Sequence, residues 1–221
     1  MGVEIPLGDR DFSATDLGAR IDVAESIVNS FADIVAPPLA SDDINGEWTI
    51  SVRRALRKIR PSGCDYRPAT EFSSRGEFLV DFIWEENEAP HRVLLAAEFE
   101  WGTDRYGENP KWRPVEEDFE KLLVIKAPYK LLIFSSNFKL AGSEGARDAD
   151  FGITFARERI KLNLTNYGHH LAGETYIFID FPRNSNACNG IFRSYFWQPS
   201  ESWHHGIEIK EGPSRNLNRP E

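Results

Sequence analysis

The sequence predicts one α/β domain built on a mixed central sheet. Three observations carry this expectation. The middle of the chain reads strand, strand, helix, strand, two amphipathic helices precede it, and 221 residues suffice for one domain with a substantial core but not for two ordinary ones. Hydrophobic residues make up 41% and charged residues 28%, the balance of a folded, soluble chain. Apolar runs such as Leu131 to Phe134 are too short to cross a bilayer, so no membrane partner is expected.

The first helix is predicted over 14–35. Leu17, Ile21, Ala24, Val28, Phe31 and Val35 recur at alternating four- and three-residue steps, which makes one narrow apolar stripe. Asp16 and Asp22 lie toward its positive end, and Pro37-Pro38 stops it. Such a stripe either lies on the core or forms a seam in a homodimer. A second helix is predicted over 47–60. Trp48, Val52, Leu56 and Ile59 share a face, and Arg53, Arg54, Arg57, Lys58 and Arg60 take the others before Pro61 and Gly63 end it. These cations form either a solvated face or a surface for phosphates.

Two strand-like runs follow, Glu77 to Trp84 and Arg92 to Trp101, around a polar stretch from Glu85 to His91. They read as an antiparallel hairpin with a long loop. Pro114 then sits at a first helical position with Glu116, Glu117 and Asp118 in the opening turn. Val115, Phe119, Leu122 and Leu123 give this helix its apolar face, and Pro128 ends it. The strand Lys130 to Phe134 comes at once, consistent with a right-handed crossover onto a parallel neighbour. A helix is expected within Gly145 to Leu164, and strands at Thr175 to Phe181 and Ile191 to Trp197. The domain is taken to span 1–211, with helices at 14–60, a core at 77–134, C-terminal strands at 175–209 and a disordered polar tail at 212–221.

Three carboxylates, Asp81, Glu98 and Glu100, interrupt otherwise apolar strands. Alternation places Glu98 and Glu100 on one face and Phe99 on the other. Buried ionised carboxylates are costly unless paired or bound to a cation, and neighbours of like sign also repel. A divalent ion resolves both conflicts, and Mg²⁺ favours oxygen ligands. For Asp81 to share that face it must oppose an even-numbered residue of the second strand, such as Ala96. The competing reading is a solvent-facing sheet edge of alternating charge. Against it, Leu94 to Ala97 is apolar on both faces, as in a covered central strand.

Residues 77–134, about 60 of 221, resemble the core of the PD-(D/E)XK, or restriction-endonuclease-like, nuclease superfamily. That core has an acid on one hairpin strand and an acid-x-lysine on the next, then a helix and another strand. Asp81 matches the first acid and Glu98 the second, with sixteen residues between them. The resemblance implies a three-layer α/β/α fold and a metal-dependent nuclease, most simply an endonuclease acting on DNA with one or two Mg²⁺ or Mn²⁺ ions. Asp81, Glu98 and Glu100 would be catalytic and metal-ligating. Glu100 stands where the family's lysine belongs, a variant that a minority of restriction endonucleases carry. Lys121 on the following helix is the candidate replacement lysine, its alternative being an i, i+4 pair with Glu117. Glu47 is a further candidate ligand or an N-terminal cap of its helix. Arg53, Arg54, Arg57 and Lys58 would contact phosphates.

The net charge of −9 is carried mostly by residues 1–47, with ten acidic residues against two basic. It excludes a coat of nucleic-acid-binding charge but leaves room for a local basic groove. Cys64 and Cys188 are too few for a disulfide scaffold or a four-cysteine zinc site. With no basic-then-apolar leader visible in residues 1–10, a reducing, cytoplasmic setting is expected. His169-His170 and His204-His205 are adjacent pairs that share no face, so they read as structural or surface histidines. Residues 142–145 (GSEG) lack the lysine and spacing of a phosphate loop. The aromatic stretch from Trp101 to Trp112 would pack as a loop or stack on bases. The alternative to an enzyme is an inactive nuclease-fold relative that binds nucleic acid or protein. A carboxylate-pair glycosidase is a distant third.

Overall fold

Burial decides which periodic segments become elements. A computed structural model describes residues 17–34, 44–68, 80–100, 113–135, 149–171, 173–180, 191–199 and 208–216. The first stripe forms α1 (Leu17–Ile34) and buries Ala24, Val28 and Phe31 together with Val23, Ile27 and Ala32. That face is broader than the stripe predicts and joins a core cluster with the sheet, so α1 is a core helix and not a seam. Each large apolar side chain buried there contributes about 1.5–3 kcal/mol. α2 (Ile44–Lys58) buries Val52, Ala55 and Leu56, with Ile59 just beyond its end. The Trp84 indole Nε1 donates to the Leu56 carbonyl at 3.1 Å and ties α2 to the sheet. Past the helix, Gly63 turns the chain at φ 77°, a conformation that glycine adopts without a Cβ penalty.

One sheet of seven described strands lies in chain order: β1 (Cys64–Pro68), β2 (Phe82–Glu86), β3 (Val93–Glu100), β4 (Tyr129–Phe134), β5 (Thr175–Asp180), β6 (Ile191–Trp197) and β7 (Lys210–Asn216). β1, β2 and β3 are successively antiparallel. β3, β4 and β5 are parallel, and β6 and β7 return antiparallel. The crossovers run through α3 (Arg113–Val124) and α4 (Ala149–Asn166).

Alternation along the strands divides the core. Leu95, Ala97, Phe99, Leu131, Ile133, Ile177 and Ile179 cluster with α1 and α2. Ala96, Leu132, Phe134, Tyr176 and Phe178 cluster with Val115, Phe119 and Leu122 of α3 and Ala156, Ile160 and Leu164 of α4. Two crossovers of one hand, stepping in one direction across a sheet, must leave their helices on the same face. α3 and α4 meet that requirement.

Two strands were not foreseen, and both are edges. β1 carries charge and ends at Pro68. β7 contains Gly212 and Pro213 and takes in residues 212–216 of the expected tail, so the ordered sheet runs past 211. Proline is tolerated at a sheet edge because it costs no ladder bond there. The Pro213 carbonyl accepts from Ser194 Oγ at 2.8 Å, and a Cβ on Gly212 would collide with the Phe196 ring and Ser194. The 77–79, 101–112, 142–145, 204–205 and 217–221 stretches, and Cys188, lie outside the described residues. No helix among the described residues is long and apolar enough to cross a membrane.

Candidate active site

The hairpin register meets the condition set by the sequence. Phe82 opposes Ala97 and Ile83 opposes Ala96. One further step of that ladder sets Asp81 against Glu98, on the face covered by α3. The bulge between Trp84 and Glu85 lies farther along β2 and leaves this register intact. Asp81 Oδ2 accepts from the Phe99 amide at 3.0 Å, which fixes the carboxylate beside β3. β3 is a central strand between β2 and β4, and Glu98 is 1% exposed. The exposed-edge reading is thereby overturned for Glu98, while Asp81 and Glu100 are half-buried.

Glu98 is in an uncomfortable place. Burial comes first, then the charges of Asp81 and Asp118 and a hydrogen bond with Asp81 that favours the neutral acid. Together they push its pKa up to about 9 against the pull of Lys121. Lys121 Nζ lies 3.3 Å from Glu98 Oε1, close enough for an ion pair. That buried oxygen still has no hydrogen-bond partner among the described residues.

Lys121 is held by Asp118, which accepts its hydrogen bond at 2.6 Å. Burial works against the lysine's charge, but the Asp118 bond and the charge of Glu98 prevail and hold the ammonium above the ordinary lysine range. Burial also raises Asp118, with Lys121 opposing it. The expected alternative, an i, i+4 pair of Lys121 with Glu117, does not form: Glu117 pairs with Arg113 at 2.8 Å. Asp118 is the site residue that sequence reading missed, having been counted among the acids of the helix N-terminus. Its signal was positional, since it falls three residues after Val115 and four before Leu122, on the buried side of α3.

From the other face, α2 delivers Arg53, whose Nη2 is 3.8 Å from Asp81 Oδ1. That is beyond hydrogen-bond length, and the buried Arg53 Nε has no acceptor among the described residues. Glu100 ends β3 half-buried, opposite Phe134, on the same face as Glu98 by alternation. Glu47 belongs to α2, but its side chain lies outside the described residues. Arg54, Arg57 and Lys58 are exposed. Among the described residues no three His, Cys, Asp or Glu side chains gather as a metal-holding group. What the fold brings together is the pair Asp81 and Glu98, with Lys121, Asp118 and Arg53 around it.

Among the other described candidates, His170 and Cys64 have structural surroundings. His170 Nε2 donates to the Leu164 carbonyl at 2.8 Å, and its Nδ1 meets the Tyr176 hydroxyl at 3.0 Å. Burial lowers its pKa, so the ring stays neutral. The Cys64 thiol is buried, and burial raises its pKa, the opposite of what a nucleophile needs. No known family model matches the chain, and no curated protein or solved structure matches it either.

Proposed function

We propose that the chain is a metal-dependent nuclease with a three-layer, restriction-endonuclease-like fold, hydrolysing phosphodiester bonds of DNA. One observation carries the reading. A buried carboxyl, Glu98, sits against Asp81 with an oxygen that lacks a hydrogen-bond partner among the described residues and a lysine within ion-pair reach. Helices against both faces of a mixed sheet support the fold assignment.

The residues suit a divalent cation. Asp81 and Glu98 are a two-carboxylate pair, the number of protein ligands that Mg²⁺ commonly takes beside water and substrate phosphate. Burial raises Glu98 most and the charge of Asp81 adds to it, and such an ion would offset both. When bound, Mg²⁺ or Mn²⁺ lowers the pKa of a coordinated water and stabilises charge on the phosphoryl oxygens.

The chain's own groups divide the remaining work. Lys121 stays charged and offers its ammonium to the charge that develops on the phosphate. Asp118 orients Lys121. Arg53 Nε, which has no acceptor among the described residues, would donate to a non-bridging phosphate oxygen. Glu100, at the end of β3, orients the attacking water or adds a ligand.

Purified protein should cleave a mixed-sequence DNA only when Mg²⁺ or Mn²⁺ is added. Glu98→Gln should remove that cleavage, and Glu100→Gln should reduce it at least tenfold, while far-UV circular dichroism stays unchanged. Wild type that cleaves neither single- nor double-stranded DNA or RNA with either metal would overturn the enzyme. The surviving reading would be an inactive binding module. The absence of a three-ligand group among the described residues favours that alternative.

A further inference from the structure

The basic residues of α2 do not act as one undifferentiated surface. Arg53, at the acidic pair, has an Nε without an acceptor among the described residues. One turn further, the Arg57 guanidinium lies over the Tyr66 ring, 4.7 Å from its centroid. Tyr66 belongs to the edge strand β1 and stacks in parallel on Phe82, with centroids 5.9 Å apart. Arg60 also approaches this ring, at 5.7 Å. Two of its five N–H donors go to the Cys64 and Arg57 carbonyls, at 3.1 and 3.0 Å, and bridge the helix end to β1. Arg60 is therefore a clamp between α2 and β1, and Arg57 is the cation presented to solvent.

We propose that Arg53 and Arg57 hold neighbouring phosphates of one DNA strand, which runs from the Asp81–Glu98 pair along the β1 edge, and that Tyr66 is the platform that sets Arg57 for this contact. The proposal rests on the nuclease reading and adds the path of the substrate and a positioning residue. The spacing supports it. Residues four apart on a helix stand about 6 Å apart on one face, comparable to the step between successive phosphates on a strand. The charge supports it too, since five cations fall within residues 53–60 of a chain whose net charge is −9. The Tyr66 ring restricts a long, flexible side chain before binding, so less of its freedom is lost on contact.

Binding separates this proposal from turnover. Fluorescence anisotropy of a labelled mixed-sequence DNA, single-stranded and duplex, is read with Ca²⁺ in place of Mg²⁺ at several salt concentrations. Arg53→Ala and Arg57→Ala should each weaken binding and each reduce the salt slope by about 0.7–0.9, the share of one phosphate contact. Tyr66→Leu should weaken binding about two- to fivefold, the equivalent of one exposed cation–π contact, and Tyr66→Phe should bind as wild type.

Unchanged slopes in both arginine variants would overturn the track even if the protein cleaves DNA. Equal losses in Tyr66→Leu and Tyr66→Phe would remove the platform role. Wild type that binds no DNA would overturn the whole proposal. Slopes that fall as expected in a protein that cleaves nothing would leave the track standing and remove the nuclease.

Discussion

Two buried lysine–carboxylate clusters occupy the same face of this sheet, and they are built in opposite ways. Lys130, at the start of β4, is fully buried and donates to Glu174 at 2.8 Å, the Tyr176 hydroxyl at 3.1 Å and the Leu123 carbonyl at 3.2 Å. The other Glu174 oxygen accepts from the Leu171 amide at 3.3 Å and lies 3.0 Å from the Tyr176 hydroxyl, whose one proton it shares with His170 Nδ1. His170 closes the network beyond Tyr176. All three donors of the lysine are used, and both carboxylate oxygens have partners. The cluster around Glu98 is the reverse. It sets three carboxylates, Asp81, Glu98 and Asp118, against one lysine that is 41% exposed, and it leaves an oxygen without a hydrogen bond among the described residues. A satisfied buried network specifies a core, whereas an unsatisfied one is unstable by itself. The first cluster is complete as it stands. Under the proposed function, a cation and a phosphate would complete the second.

The largest expected difference is in stability. Lys130→Met leaves the Glu174 carboxylate buried without its countercharge and should cost about 3–5 kcal/mol in denaturant unfolding. Lys121→Met removes a partly exposed partner and should cost no more than about 1 kcal/mol, with its main effect on cleavage. Equal losses in the two variants would break the contrast.

The next effect is the pH dependence of the Glu98 cluster. Its carboxyl has a folded pKa of about 9 against an ordinary 4.5, so the folded state holds a proton that the unfolded state has released between those values. The stability carried by that proton is fully present below about pH 4.5 and is lost as the pH rises to about 9. Metal-free wild type should therefore lose melting temperature from pH 5 to pH 9 more steeply than Glu98→Gln. Parallel curves would mean that Glu98 is ionised throughout. Tyr176→Phe removes one hydroxyl from the closed network and should cost about 1–2 kcal/mol, less than Lys130→Met, without changing cleavage.

Legibility followed burial pattern. The hairpin, α3 and β4 were readable because central strands are apolar on both faces and α3 has a regular stripe. β1 and β7 were not, because an edge strand needs one paired side only and tolerates charge, glycine and proline. Asp81 and Glu98 stood out as charges inside apolar runs. Asp118 was hidden among acids that a helix N-terminus would attract anyway. Lys130 and Glu174 were hidden for a similar reason. Each sits at or just before the start of a strand, where a charge ordinarily marks a boundary, and pattern alone does not reveal that both turn inward.

The most direct test is a calorimetric titration of metal-free protein with Mn²⁺ and Mg²⁺ at pH 7, repeated with Asp81→Asn and Glu98→Gln. Glu98 must release its proton when an ion binds, so the measured heat should change with the ionisation enthalpy of the buffer. Both variants should weaken binding at least tenfold, and Glu98→Gln should abolish the buffer dependence. Affinity unchanged in both variants, or wild-type heat independent of buffer, would contradict a cation site at Asp81 and Glu98.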